Sequence, residues 1–434
     1  MTVSVRLPWT RLVLPFWLAS RGARDAASMW WLAGLWAVVL EAIVPSVFPW
    51  RLGYFQIAWP WTVQAVDLLG PGWATWMAFA HAGALVLLGQ TLCAAVREHR
   101  WSLLPTRLLT STVVWVCVLN GLYGGLSMAY WNWRIEQSPT MRVALVQVDP
   151  TYLQSTIDLP KLTKSVANDV DLVCWPESSG GNYERCLNRL SNIEELFAHS
   201  RDPNRGLRIC EDPGCTLLFG GKTYSGDRDR PTELFQSAFL MDRHERIVAR
   251  YHKRHLMPFG EYVPGEGWVP GINELFSVEE TVSPGQDATV MPTECGARLG
   301  AMLCYEDMKP EAARTLTNNS ANLLVSLING AAFKNPLTLA QHRMLSQLRA
   351  VECRRFFVRC AATGETCVIS PLGTIQAQLP VQTQGVLTAN VALLDAPTLY
   401  CEIGWMFPAA CGLCLAGCLG RRRSAEKSKT RPTQ

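Results

Sequence analysis

Two hydrophobic rhythms divide this chain. Near the N-terminus three long, almost uninterrupted apolar segments run over Ser28 to Phe48, Trp73 to Val96 and Leu108 to Tyr130, and a fourth covers Tyr400 to Leu419. Each approaches the roughly 20 apolar residues that a helix needs to cross a bilayer. A shorter stretch, Tyr54 to Leu69, contains Pro60 and Asp67 and reads as interfacial or re-entrant. From about residue 141 the rhythm changes to short apolar runs of strand length: 142–148, 171–177, 216–224, 237–242, 298–306, 321–330, 355–363, 367–375 and 385–391. Helical patterns lie between several of them, as over Pro336 to Glu352, where the proline suits a first helical turn. Strands alternating with helices predict an α/β domain with largely buried strands. "MDRHERIVAR" and "SPLGTI" read as hairpin turns, so the sheets are expected to be mixed. The pattern predicts a membrane region over 1–135, a folded domain over 136–398, a last span over 399–420 and a basic tail over 421–434.

Charge adds an orientation. Arg6, Arg11, Arg21 and Arg24 precede the first span, Arg97, Arg100 and Arg107 lie between the second and third, and Arg421, Arg422, Arg423, Lys427 and Lys429 follow the last. Lys and Arg gather on the cytoplasmic side of short loops. With four spans all three groups share one face, and the domain between the third and fourth spans lies on the other, periplasmic side of a bacterial inner membrane. A fifth span would split them. The first segment has no short apolar core followed by a small-residue cleavage site, so it reads as a retained anchor ahead of a signal peptide.

Composition refines this. Only 18% of residues are charged, against about 25% in a soluble chain, and the deficit is concentrated in residues 28–131, which hold most of the 17 tryptophans. A net charge of +4 is too small to point to nucleic acid. Of the 15 cysteines, Cys210 and Cys215 flank a Pro-Gly turn and form a plausible local pair in an oxidising compartment, with Cys186 a further partner. Cys411, Cys414 and Cys418 fall in the last apolar segment and read as small residues for helix packing. No His/Cys cluster has zinc spacing.

Three apolar runs end in a side chain able to do chemistry. In "LVCWPESSGG", Glu177 follows Pro176 and stands beside Trp175, which reads either as a carboxylate with the raised pKa of a general base or as a helix-capping acid. The long aromatic, proline-rich and charged stretch "RYHKRHLMPFGEYVPGEGWVP" holds Lys253, a fixed positive charge for an oxyanion or an ordinary surface lysine, and a second carboxylate, Glu261. In "RLGAMLCYEDMKP" the apolar run stops at Cys304, either a nucleophile at a strand end or a buried structural thiol.

Taken in order, "WPES", "KRHLMPFGEYVP" and "LCYED" resemble the Glu-Lys-Cys triad of the nitrilase (carbon-nitrogen hydrolase) superfamily, and the middle motif resembles its apolipoprotein N-acyltransferase branch. The resemblance covers residues 141–398 and implies an αββα sandwich attached to membrane helices. It carries over Glu177 as general base, Lys253 as oxyanion stabiliser and Cys304 as nucleophile, with supporting or substrate-binding roles for Glu261, Glu306, Tyr305 and Trp175. No cofactor or metal is implied. The implied partners are a phospholipid acyl donor and a lipoprotein acceptor, with a small-molecule amide hydrolase as the alternative. The segment Phe259 to Val269, with Trp268, is expected to act as a lid. There are departures. The acyltransferases carry more membrane helices, and "LINGAAF" (Leu327 to Phe333) lacks the Asp and Trp of their corresponding segment. "QHRMLSQLRAVECRRFFVRCAATG" keeps Gln341, His342, Arg349, Ala350 and Glu352 but has Ala362 and Thr363 where asparagines are usual. A shortened membrane part resembles the TraB conjugal-transfer proteins, which leaves a conjugation apparatus as a further partner.

Overall fold

The computed structural model describes residues 9–21, 23, 26–99, 101, 111–148, 159–179, 215–227, 230–244, 246–268, 276, 278, 280–330, 335–362 and 364–429. The chain forms two compact units, one from residues 1–131 with 398–434 and the other from 132–397.

The first unit is helical. Among the described residues its helices are α1 (Trp9–Ser20), α2 (Ala26–Ile43), α3 (Val66–Leu69), α4 (Pro71–Glu98), α5 (Thr112–Glu136, whose last residues belong to the second unit), α8 (Leu399–Ile403) and α9 (Met406–Lys429). Helices α4 and α5 are long and apolar enough to cross a membrane, and Ser28–Ile43 and Met406–Arg421 are shorter apolar helical stretches. The helix α1 was not among the sequence-based expectations; Pro15 lies inside it. The stretch Tyr54 to Leu69 is not one continuous helix but two short 3-10 segments, Leu52–Ala58 and Pro60–Thr62, followed by the single turn of α3. Polar side chains hold it in place. Glu41 accepts hydrogen bonds from the Leu52 backbone N–H (2.8 Å) and the Thr75 hydroxyl (2.7 Å), and the Tyr123 hydroxyl donates to Asp67 (2.9 Å). In the last helix Cys411 is buried, whereas Cys414 and Cys418 are exposed.

The second unit contains two sheets. The first runs in the order β12-β1-β2-β3-β4-β5, where β1 is Thr140–Gln147, β2 Leu172–Cys174, β3 Thr216–Asp227, β4 Arg230–Met241, β5 Ile247–His252 and β12 Gly385–Ala392. The second runs β11-β10-β9-β8-β7-β6, with β6 Val290–Pro292, β7 Arg298–Leu303, β8 Leu323–Ile328, β9 Phe356–Ala361, β10 Cys367–Ile369 and β11 Ile375–Gln378. Each has parallel strands at its centre, β1-β2-β3 and β7-β8-β9, with antiparallel strands at its margins. This is the mixed pairing expected from the hairpin turns. The strands β5, β6 and β11 were not singled out from sequence; the run over 367–375 divides into β10, a turn and the start of β11.

Period-two alternation sorts the side chains between layers. Val143, Leu145, Leu172, Cys174, Leu218 and Leu240 from the first sheet meet Leu299, Leu303, Val325, Leu327, Val358 and Val368 from the second in one buried core. Their neighbours Val146, Val173, Leu217, Phe219 and Met241 face the other way and pack with Leu159 and Ala167 from the connection before β2. Helices α6 (Pro310–Asn318) and α7 (Pro336–Cys353) pack against β7 and β9 of the second sheet. Pro stands at the start of both, and the Asn335 side chain caps α7 by accepting from the Leu337 N–H.

Candidate active site

Each of the three candidate residues follows a strand end. β2 stops at Cys174, and two residues later the chain turns at Pro176 into Glu177. The neighbouring strand leaves room for this turn: a Cβ on Gly220 would sit 2.9 Å from the Glu177 Cα. β5 stops at His252. Lys253 is held at both sides of its backbone, its N–H donating to Gln236 O (2.8 Å) and its carbonyl accepting from Gly285 N–H (2.8 Å). β7 stops at Leu303, and Cys304 opens a 3-10 turn over Cys304–Met308. The apolar run read as a strand over 298–306 therefore ends three residues early, at the residue before the thiol.

The ends of β2 and β5 in one sheet and β7 in the other bring these side chains together. Lys253 is only 1% exposed, which removes the surface-lysine reading. Its Nζ donates to Glu261 Oε1 at 2.6 Å and to Glu177 Oε1 at 3.4 Å. Glu261 is itself fixed by the Met257 N–H (2.7 Å to Oε2). The thiol lies within the fields of Glu177, Lys253 and Glu261, and its Sγ donates to the Asn329 carbonyl at 3.8 Å. The same Asn329, just past β8, donates its backbone N–H to Glu177. One residue thus touches both the carboxylate and the thiol.

The electrostatics follow from two carboxylates and one ammonium in a buried place. Burial pushes the Glu177 carboxyl above its ordinary range, the Glu261 charge pushes it further, and Lys253 opposes both. Burial works against the Lys253 charge, but Glu177 and Glu261 together raise it well above an ordinary lysine. Burial, with the Glu177 charge, drives the Cys304 thiol far up, and Lys253 pulls it back. The resting pocket therefore holds an ammonium, a neutral thiol and a carboxylate of heightened basicity. Glu261 makes the short bond to the lysine, and Glu177 is held more loosely. Such a set can generate a thiolate and stabilise an oxyanion.

Three residues with left-handed backbone cluster here: Ser178 (φ 59°), Phe259 (φ 63°) and Cys304 (φ 45°). For non-glycine residues this conformation is strained and persists only where the surroundings hold it. Glu306 is one such holder. It is fully buried, and accepts from the Tyr251 hydroxyl (2.6 Å), the Arg254 N–H (2.8 Å), the His255 N–H (3.0 Å) and the Leu303 N–H (2.9 Å). It ties the segment after β5 to the turn that carries the thiol. Tyr305 is buried, with Lys309 over its ring. Trp175 is placed elsewhere. Its ring packs on Phe219 in the outer layer of the first sheet, and its Nε1–H donates to Thr163 (2.8 Å). It supports the strand that leads to Glu177 from the opposite face. The partners Tyr251, Asn329 and Gly220 were not picked out from sequence, since nothing local in a strand tyrosine, a loop asparagine or a strand glycine marks it.

Trp268 is 91% exposed, and Val269 lies outside the described residues. The pairing of Cys215 with Cys210 or Cys186 falls on Cys186 and Cys210, also outside them. Among the described residues no three His, Cys, Asp or Glu side chains gather as metal ligands.

The chain resembles several known proteins. The apolipoprotein N-acyltransferase of Geobacter metallireducens is 29% identical over 403 residues, 89% of this chain and 72% of that protein. The enzyme of the same name from Vibrio vulnificus is 28% identical over 426 residues, 92% of this chain and 75% of that one. An amidase crystal structure from Nesterenkonia sp. is similar at 22% identity with a TM-score of 0.44, covering 62% of this chain and 95% of that one. The pattern of the carbon-nitrogen hydrolase family matches residues 142–397, more than half of the sequence and including every residue of the buried site, so the chain belongs to the carbon-nitrogen hydrolase family.

Proposed function

We propose that the protein is a membrane-bound acyltransferase that works through a thioester on Cys304. The observation that carries this reading is the convergence of Glu177, Lys253 and Glu261 on one half-buried thiol. Glu177 takes the thiol proton, and the thiolate attacks the ester carbonyl of a phospholipid. The Lys253 ammonium holds the oxyanion. The lyso-lipid oxygen leaves with the proton from Glu177, and Cys304 keeps the acyl group as a thioester. The N-terminal amine of a lipoprotein then attacks the thioester and gives a proton to Glu177. The amide departs, and the returning proton restores the thiol. Glu261 keeps the lysine in register throughout.

The choice of a lipid donor and a lipoprotein acceptor rests on the relatives' shared name, and that of a bilayer location on the two long apolar helices. The basic residues flanking the apolar segments support a multi-pass protein of the inner membrane with residues 136–398 on the periplasmic side. A small amide in place of the ester donor, with water in place of the amine, would make the same site an amide hydrolase.

Intact-protein mass spectrometry of membrane-purified material tests the proposal. A long-chain acyl adduct on the wild type, absent from Cys304→Ala, is the expected result. A small acyl adduct points to the hydrolase. An adduct that persists in Cys304→Ala overturns the assignment of the nucleophile.

A further inference from the structure

Behind the thiol lies a buried polar cluster that the chemistry above does not use. Asp307 sits on the same 3-10 turn as Cys304, three residues on, and is fully buried. His342 and Ser346, one helical turn apart on α7, both reach it: His342 Nε2 makes a short hydrogen bond to Asp307 Oδ1, and the Ser346 hydroxyl donates to Oδ2 at 2.9 Å. Arg359 of β9 donates to Ser346 Oγ (2.6 Å) and stands 3.6 Å from Asp307. The His342 ring also bonds to the backbone carbonyl of Cys304. The ring therefore bridges the first and fourth residues of the turn that carries the thiol, and Cys304 is the member of that turn in the left-handed conformation.

We infer that His342, braced by Asp307, is a positioning residue for the nucleophile: it clamps the Cys304 carbonyl and so holds the strained backbone that aims Sγ at Glu177. The inference rests on Cys304 being the nucleophile. A peptide group is planar, so fixing one carbonyl fixes the whole 304–305 link and the direction of the Cys304 side chain with it. Without the clamp, Cys304 can relax towards the ordinary backbone region that a non-glycine residue prefers. Burial, with the Arg359 charge, outweighs the pull of Asp307 and lowers the His342 pKa. A carboxylate faces one side of the ring and a carbonyl the other. A carbonyl only accepts, so the clamp needs the ring N–H on the side of Cys304. Burial opposes the Asp307 charge, yet His342 and Arg359 hold its carboxyl below the usual range.

A histidine that merely fills the core would affect stability and nothing else. Full-length protein in detergent separates the two roles through three readouts: the melting temperature, kcat and KM for acyl transfer, and the rate at which iodoacetamide alkylates Cys304. His342→Ala is expected to fold, keep KM, lose about 100-fold in kcat and alkylate about tenfold more slowly, the scale of a misplacement of roughly 1 Å. His342→Asn, whose side-chain N–H reaches towards the same carbonyl, is expected to recover much of the loss. If His342→Ala does not fold, His342→Leu, which fills the space without an N–H, takes its place with the same expectation. A folded Ala or Leu variant with wild-type kcat and alkylation overturns the inference, as does an Asn variant no better than Ala. Cys304→Ala serves as the control. If it retains acyl transfer, the reading of the site itself fails; if it is inactive while the folded His342 variants are unaffected, only the positioning role fails.

Discussion

One ammonium between two carboxylates sets the chemistry of this site. Lys253 bonds tightly to Glu261 and more loosely to Glu177, so the carboxylate nearer to release is the one whose pKa burial has raised. The sign for catalysis follows. In the proposed mechanism Glu177 accepts the thiol proton only when ionised, so kcat/KM should climb as pH rises through its pKa, with the acid limb centred above the 4.5 of an ordinary glutamate. A pH-rate profile checks this, and a limb centred at or below 4.5 would contradict it. Glu306 acts differently. Glu306→Ala would strand four hydrogen-bond donors in the interior and should cost about 3 kcal/mol or more. Thermal melting would read the loss, and a melting temperature within a degree or two of wild type would show that the four bonds matter little.

Elements deliver those side chains. The β4–β5 hairpin ends on Lys253, and its turn is tied by Asp242, which accepts from the His244 N–H (2.9 Å), the Arg246 N–H (2.9 Å) and Arg246 Nε (2.8 Å). Burial opposes the charge of Asp242, but these bonds outweigh it and lower its pKa. A carboxylate whose folded pKa is depressed stabilises the fold above its unfolded value and loses that contribution as pH falls through the folded one. Asp242→Ala should therefore cost about 2 kcal/mol at neutral pH. The difference from wild type should shrink once pH falls below 3.8, the ordinary aspartate value. Denaturant melts at two pH values measure both, and a pH-independent difference would count against the charge. Gly220 shows the same dependence from the side of β3. Gly220→Ala would press on the Glu177 backbone 2.9 Å away and should impair turnover more than substrate binding.

At the scale of the whole sandwich, the two sheets share one core, and the site stands where their strand ends meet. Leu145 of the first sheet and Leu327 of the second are both fully buried in that core. Leu145→Ala and Leu327→Ala should each destabilise by about 3 kcal/mol and lower the same unfolding transition of residues 132–397. Calorimetry that resolved a separate transition for each sheet would refute the shared core.

Much of this was legible in the sequence because it depends on neighbours along the chain. Apolar run length marked the strands and the long apolar helices, and a polar residue just past an apolar run marked Glu177, Lys253 and Cys304. The short strands β6 and β11 escaped, since three or four residues carry too little periodicity to separate from a turn. Trp175 shows a further limit: nearness to Glu177 suggested a shared pocket, but Trp175 keeps to the outer side with Val173, two residues before it, while the chain turns at Pro176 and takes Glu177 away from that face. Asn329 meets Cys304 across 25 positions and His342 meets Asp307 across 35, separations that no local pattern records. The sequence by itself determined which side chains are capable of chemistry and where the strands that bear them end, because hydrophobicity and backbone preference act locally. The tertiary structure alone decided which of them meet, how deeply the lysine is buried and which carboxylate it grips, because pKa and hydrogen bonding depend on distances through space that chain spacing does not encode.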